Sequence, residues 1–168
     1  MPDDGQSIST VVALGGLLKR IGVVDPSGFK SSFVDRLIVQ KTIYLMQEFG
    51  LFIGYRFNWY VHGPYSPGLA GDAYALCGTY DAVPWVQFVK REDEERFKQF
   101  LVFIGARAHD HDWLEKIGSI HFLSKMYPSM SREAIRQRVG AKGLSLTRDE
   151  LDTIVRELRE FGLFPEGR

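Results

Sequence analysis

YRFNWYVHGPYSPGLAGDAY, residues 55–74, gathers six aromatic side chains, two prolines and one histidine. Its first eight letters alternate. Tyr55, Phe57, Trp59 and Val61 fall on one side, and Arg56, Asn58, Tyr60 and His62 on the other. A period of two predicts a half-buried strand. GPYSP then predicts a turn, with Pro67 after Ser66 well placed to open a helix that continues through GLAGDAYALC. A short second strand is expected in YDAVPWVQFV, residues 80–89, where Pro84 restricts it to a sheet edge. The stretch therefore predicts a β-hairpin element over roughly residues 55–90, set among helices.

Helical periodicity surrounds that element. TVVALGGLLKRIG carries Val11, Leu14, Leu17, Leu18 and Ile21 at helical spacing, with Gly15 and Gly16 predicting close packing of one face. SSFVDRLIVQKTIYLMQEFG is the strongest helix. Phe33, Val34, Leu37, Ile38, Leu45 and Phe49 make a wide apolar face, Ser32 and Asp35 suit its start, and Gly50 suits its stop. QEFGLF at 47–52 returns as REFGLF at 159–164, and one capping chemistry ending two helices explains the echo better than duplication. Further helices are predicted from EDEERFKQFLVFIG, DWLEKIGSIHFLSKMY, SREAIRQRV and LTRDELDTIVRELREFG. In the last of these, Thr147 and Glu150 have capping-box spacing. Residues 1–9 read as a polar tail, and 10–168 as a single helical domain.

The fold class expected is mainly α, an α+β arrangement in which a compact helical domain carries a small antiparallel hairpin. The totals agree with one domain. The chain has 168 residues, 45% hydrophobic and 25% charged. Lysine plus arginine and aspartate plus glutamate number 21 each, which argues against a protein that coats nucleic acid through overall charge. A single cysteine, Cys77, points to a reduced, cytoplasmic setting and reads as a small buried hydrophobe. No apolar run approaches the roughly 20 residues that cross a bilayer, and the acidic MPDDGQSIST is unlike a secretory leader.

Chemistry-bearing motifs are few. His109, Asp110, His111 and Asp112 suggest a metal centre of the kind found in phosphohydrolases, with His121 nearby. Helical geometry opposes this, because adjacent residues diverge by about 100° and His121 lies roughly 15 Å from His111 along a continuous helix. A polar helix start capped by Asp110 or Asp112 is the favoured reading. The sequence contains no nucleophile elbow, Walker loop or dinucleotide fingerprint. No catalytic residue, metal or cofactor is therefore expected. Arg132, Arg136 and Arg138 form a short basic helix that could meet phosphates in a winged-helix-like regulator.

Two motifs carry a resemblance. Leu37, Gln40, Lys41 and Tyr44 form a Leu-x-x-Gln-Lys-x-x-Tyr pattern, followed by Trp59, Gly63, Pro64 and Pro67. Together they resemble the YwgA-like family of small prokaryotic proteins over residues 33–76, and are more distantly similar to the Panacea (SocA-like) antitoxin domain. The Panacea pattern places more residues between helix and Gly-Pro. The resemblance implies a helical regulatory or interaction module from toxin–antitoxin or phage-defence settings, and implies no reaction.

The residues read on their own allow two roles for the motif. Gln40 and Tyr44 share a helix face and could clasp the backbone of the His-Gly-Pro turn. Alternatively they line a groove, with Arg56, Tyr60, His62 and Tyr65 as an interface cluster. The expected function is non-enzymatic binding of a protein partner, antitoxin-like or defence-associated. Nucleic acid and a second copy of the chain are the other candidate partners, and a metal-dependent phosphohydrolase is the least favoured reading.

Overall fold

In the computed structural model, residues 9–23 and 26–164 are described. Two helices buried on every side form the centre. The helix α2 (Phe33–Glu48) is buried continuously from Leu37 to Met46, and α5 (His111–Met126) from Trp113 to Ser124. They pack most extensively against each other. Sequence periodicity predicts one apolar stripe on each. Burial of the remaining faces takes in Gln40, Lys41 and Thr42 on α2 and Glu115, Lys116, Ser119 and His121 on α5. Polar groups in such positions need partners; among the described residues the Thr42 hydroxyl finds none, and the partners of Gln40, Lys41 and His121 shape the site.

Five other helices surround this pair among the described residues. These are α1 (Thr10–Ile21), α3 (Pro67–Leu76), α4 (Arg91–Ile104), α6 (Arg132–Gly140) and α7 (Arg148–Glu160). Local chemistry sets their ends. Ser32, Ser66, Asp110, Ser131 and Thr147 each cap a helix with a side-chain oxygen, and the Thr147–Glu150 capping box has both of its hydrogen bonds. Gly50 and Gly162 both take left-handed backbone after the two EFGLF stops, each N–H bonding three residues back, as the repeated words predict. Gly15 and Gly16 let α1 approach closely. A Cβ on Gly15 would press on Leu76 and Val83, and one on Gly16 would overlap Val86. The tail expected at residues 1–9 lies outside the described residues except for Ser9, whose Oγ caps α1. Residues 165–168 also lie outside them.

The sheet differs from the sequence reading. Strands β1 (Asn58–Tyr60) and β2 (Gly63–Tyr65) pair antiparallel in the register Asn58–Tyr65, Trp59–Pro64, Tyr60–Gly63. The chain reverses at Val61–His62, earlier than expected, and GPY is the returning strand rather than the turn. Both turn residues have negative φ and Gly63 takes φ 85°, consistent with a type I turn closed by a glycine bulge. Val61, expected on the inward face, is 61% exposed because it occupies the turn. Pro64 is tolerated because it lies opposite Trp59 in a non-hydrogen-bonded pair, where the ladder requires no N–H. The strand expected at residues 80–89 is absent. A 3-10 turn, Tyr80–Ala82, leads into an extended segment tied down by side chains instead. Lys19 Nζ donates to the Val83 carbonyl at 2.9 Å, and Glu94, ion-paired with Arg20 at 2.6 Å, accepts from the Phe88 N–H.

The hairpin lies against both central helices, β2 touching α2 and α5. One hydrophobic core runs from Leu14 to Phe164. Among the described residues, no helix is long and apolar enough to cross a membrane.

Candidate functional site

Two residues of the Leu-x-x-Gln-Lys-x-x-Tyr pattern, Gln40 and Lys41, hold the hairpin in place. Gln40 meets Ser66 as a strand would, its Nε2 donating to the Ser66 carbonyl and its Oε1 accepting from the Ser66 N–H, both at 2.9 Å. Ser66 in turn caps α3, with Pro67 in the first turn. Lys41 Nζ donates to the Pro64 carbonyl at 2.7 Å, using the oxygen that the non-hydrogen-bonded pair leaves off the ladder. Gln40 therefore clasps the hairpin at Ser66, beyond the His-Gly-Pro stretch expected, and Lys41 takes the bond to Pro64. Tyr44 does not join the clasp: its hydroxyl lies 2.7 Å from His121 Nδ1 on α5. Leu37, Gly63 and Pro64 are buried, and Trp59 stacks on Phe122 with ring centres 5.8 Å apart.

Burial shapes the electrostatics of this layer. Desolvation lowers Lys41 to about 7, against a smaller opposing pull from Glu115. Desolvation also lowers His121 to about 4, so the ring is neutral at physiological pH, and it raises the Tyr44 hydroxyl well above its ordinary value. A protonated Tyr44 hydroxyl donating to an unprotonated Nδ1 satisfies both buried groups.

Above the clasp lies a cavity of about 290 Å³, framed by the start of α2, the hairpin and α3. Tyr60, His62 and Tyr65, three of the four residues expected to bind a partner, line it together with Phe33, Arg36 and Tyr74. Tyr60 and Tyr65 meet edge to face at 5.2 Å, and His62 meets Phe33 at 4.7 Å. His62 Nδ1 also lies 3.0 Å from Glu115 Oε1. The groove is open, and its rim is apolar. Phe33 is 49% exposed, Tyr60 45% and Tyr74 43%.

No family model matches this chain, and no curated protein or solved structure does.

The fourth expected residue, Arg56, does not join the cluster. It lines a separate depression of about 630 Å³ beside Glu48, Phe52, Lys125 and Met126. Phe33 and Val34, expected on the core face of α2, are exposed instead, because the buried stretch of that helix begins at Leu37. Phe33 and Arg36 are site residues that sequence reasoning misses. A signal for them exists, since Phe33, Arg36, Leu37 and Gln40 fall at i, i+3, i+4 and i+7 and extend the motif face one turn toward the N-terminus.

Arg132 pairs with Asp152 at 2.7 Å, Arg136 pairs with Glu133 at 2.6 Å, and Arg138 sits over the Tyr127 ring at 5.3 Å. Asp110 caps α5 by accepting from the Trp113 N–H, Asp112 pairs with Lys116, and His109 and His111 are exposed. His121 is buried against Tyr44, away from them. Among the described residues, no group of three or more His, Cys, Asp or Glu is placed to hold a metal ion. Cys77 is half-buried, its thiol near the Ala73 carbonyl.

Proposed function

We propose that the protein is an interaction module that binds a protein partner through the groove between α2, α3 and the hairpin. The observation that carries this reading is the rim. Phe33, Tyr60, Val61 and Tyr74 are large apolar or aromatic side chains left exposed around one cavity. Clustered exposure of that kind on a folded chain marks an interaction surface, and tyrosine with arginine at its centre is typical of residues that dominate binding energy. The clasp beneath supports it, because Gln40 and Lys41 fix the hairpin so that its outer side is presented without ordering cost at the moment of contact. The resemblance of the motif residues to YwgA-like and Panacea-like proteins makes an antitoxin-like or defence-associated regulator the setting we favour.

The test is affinity purification from the native cell with wild type and the Tyr60→Ala/Val61→Asp variant. Both positions are exposed, so the melting temperature is expected to stay within about 2 °C. A partner held by wild type is expected to be lost, since removing central aromatic contacts costs about 2–4 kcal/mol, or roughly 30- to 1000-fold in affinity. Undiminished capture of every partner would overturn the site.

Nucleic-acid binding through Arg132, Arg136 and Arg138 has less support, because Arg132 and Arg136 already meet carboxylates.

A further inference from the structure

The groove has an electrical sign. Arg36, Lys41 and His62 contribute to its wall, and no aspartate or glutamate among the described residues does. Two of these three bases have an acidic counterpart. Glu115 hydrogen-bonds His62, and its field also acts on Lys41. Arg36 has none. Its Nη1 donates to the Phe29 carbonyl at 2.8 Å, and among the described residues no carboxylate comes within ion-pairing distance of it. Its chain neighbour Asp35 turns toward Gly28, so closely that a Cβ on Gly28 would collide with the carboxylate. A half-buried guanidinium with spare donors therefore stands in the wall of an apolar cavity beside Phe33.

Covering that guanidinium with a neutral apolar segment would strip water from a charge and offer nothing in return. A basic segment would be repelled. A carboxylate is the planar acceptor that matches the guanidinium fork. The volume, about 290 Å³, lies at the low end of the range for small-molecule pockets and suits an anchoring side chain with its adjoining backbone. Resting on the reading of the groove as a docking site, we propose that the partner segment it accepts carries an apolar side chain with a carboxylate beside it. The side chain enters between Phe33, Tyr60 and Tyr65, and the carboxylate meets Arg36.

The test uses the full chain, nitrogen-labelled, titrated with N-acetylphenylalanine and with N-acetylphenylalaninamide. The two probes share a side chain and differ in charge. The anion is expected to shift the amide signals of residues 33–41 and 60–65 and to bind about fivefold more tightly than the amide at low salt, the worth of one partly exposed ion pair. Arg36→Gln, which keeps a donor for the Phe29 carbonyl, is expected to erase that preference, and Arg36→Lys to retain part of it. Equal or tighter binding of the amide, a preference that survives Arg36→Gln, or no shift at the groove with either probe would overturn the proposal. The two readings fail separately. If Tyr60→Ala/Val61→Asp loses its partner while the groove ignores probe charge, the docking reading stands and the charge assignment falls.

Discussion

Lys41 is the residue on which physical chemistry bears hardest. In the unfolded chain its amine titrates near 10.5, and in the fold near 7. Between those values the unfolded state holds a proton that the folded state does not, so stability rises with pH across that window. Below about 7 the cost of burying the charge is fully present, and raising the pH toward 10.5 relieves it. Urea midpoints taken from about pH 7 to about pH 10 are expected to climb in wild type relative to Lys41→Met, which has nothing to protonate there. Parallel curves would show that the amine is better solvated than its burial implies. His121 carries the same sign lower on the scale. Its ring resists protonation down to about 4, so it opposes folding increasingly as the pH falls from 6.5.

The hairpin is the element in which turn chemistry and packing meet. Gly63 is favoured twice over, by its left-handed φ and by the Ser119 hydroxyl on α5, which would have to swing aside for a Cβ. Gly63→Ala is expected to cost about 2 kcal/mol by chemical denaturation, combining left-handed strain with the displaced hydroxyl. Adding Ser119→Ala should return the collision share and leave the strain. Full recovery in the double variant would mean that the backbone conformation costs little. Much of this element is legible in sequence, since the alternation holds from Tyr55 to Trp59 and Ser66–Pro67 opens α3 as expected. The turn is not, because His-Gly-Pro has the composition of a reversal, whereas the chain reverses at Val61–His62 and the glycine serves as the bulge. The site is half legible for a related reason. That Gln40 faces the hairpin segment can be read from the pattern, but its bond to Ser66, the Lys41–Pro64 bond and the place of Arg36 in the groove wall depend on which face of α2 the hairpin covers. Alternation within a strand does not specify that.

At the scale of the whole molecule, two enclosed helices hold everything else. Amide exchange is expected to be slowest in α5 between Trp113 and Ser124, where release requires global unfolding, and fast in the segment around residues 83–90, which side chains hold without a ladder. Exchange in α5 as fast as in that segment would mean that α5 opens independently of the rest. The position of the hairpin against those helices has a practical consequence. Its returning strand rests on both central helices, so a molecule that grips the folded rim, and not the unfolded chain, stabilises the whole fold. Candidate partners and fragments can then be ranked by how far they delay thermal collapse of the intact chain, with no activity assay and whatever the groove was built to hold.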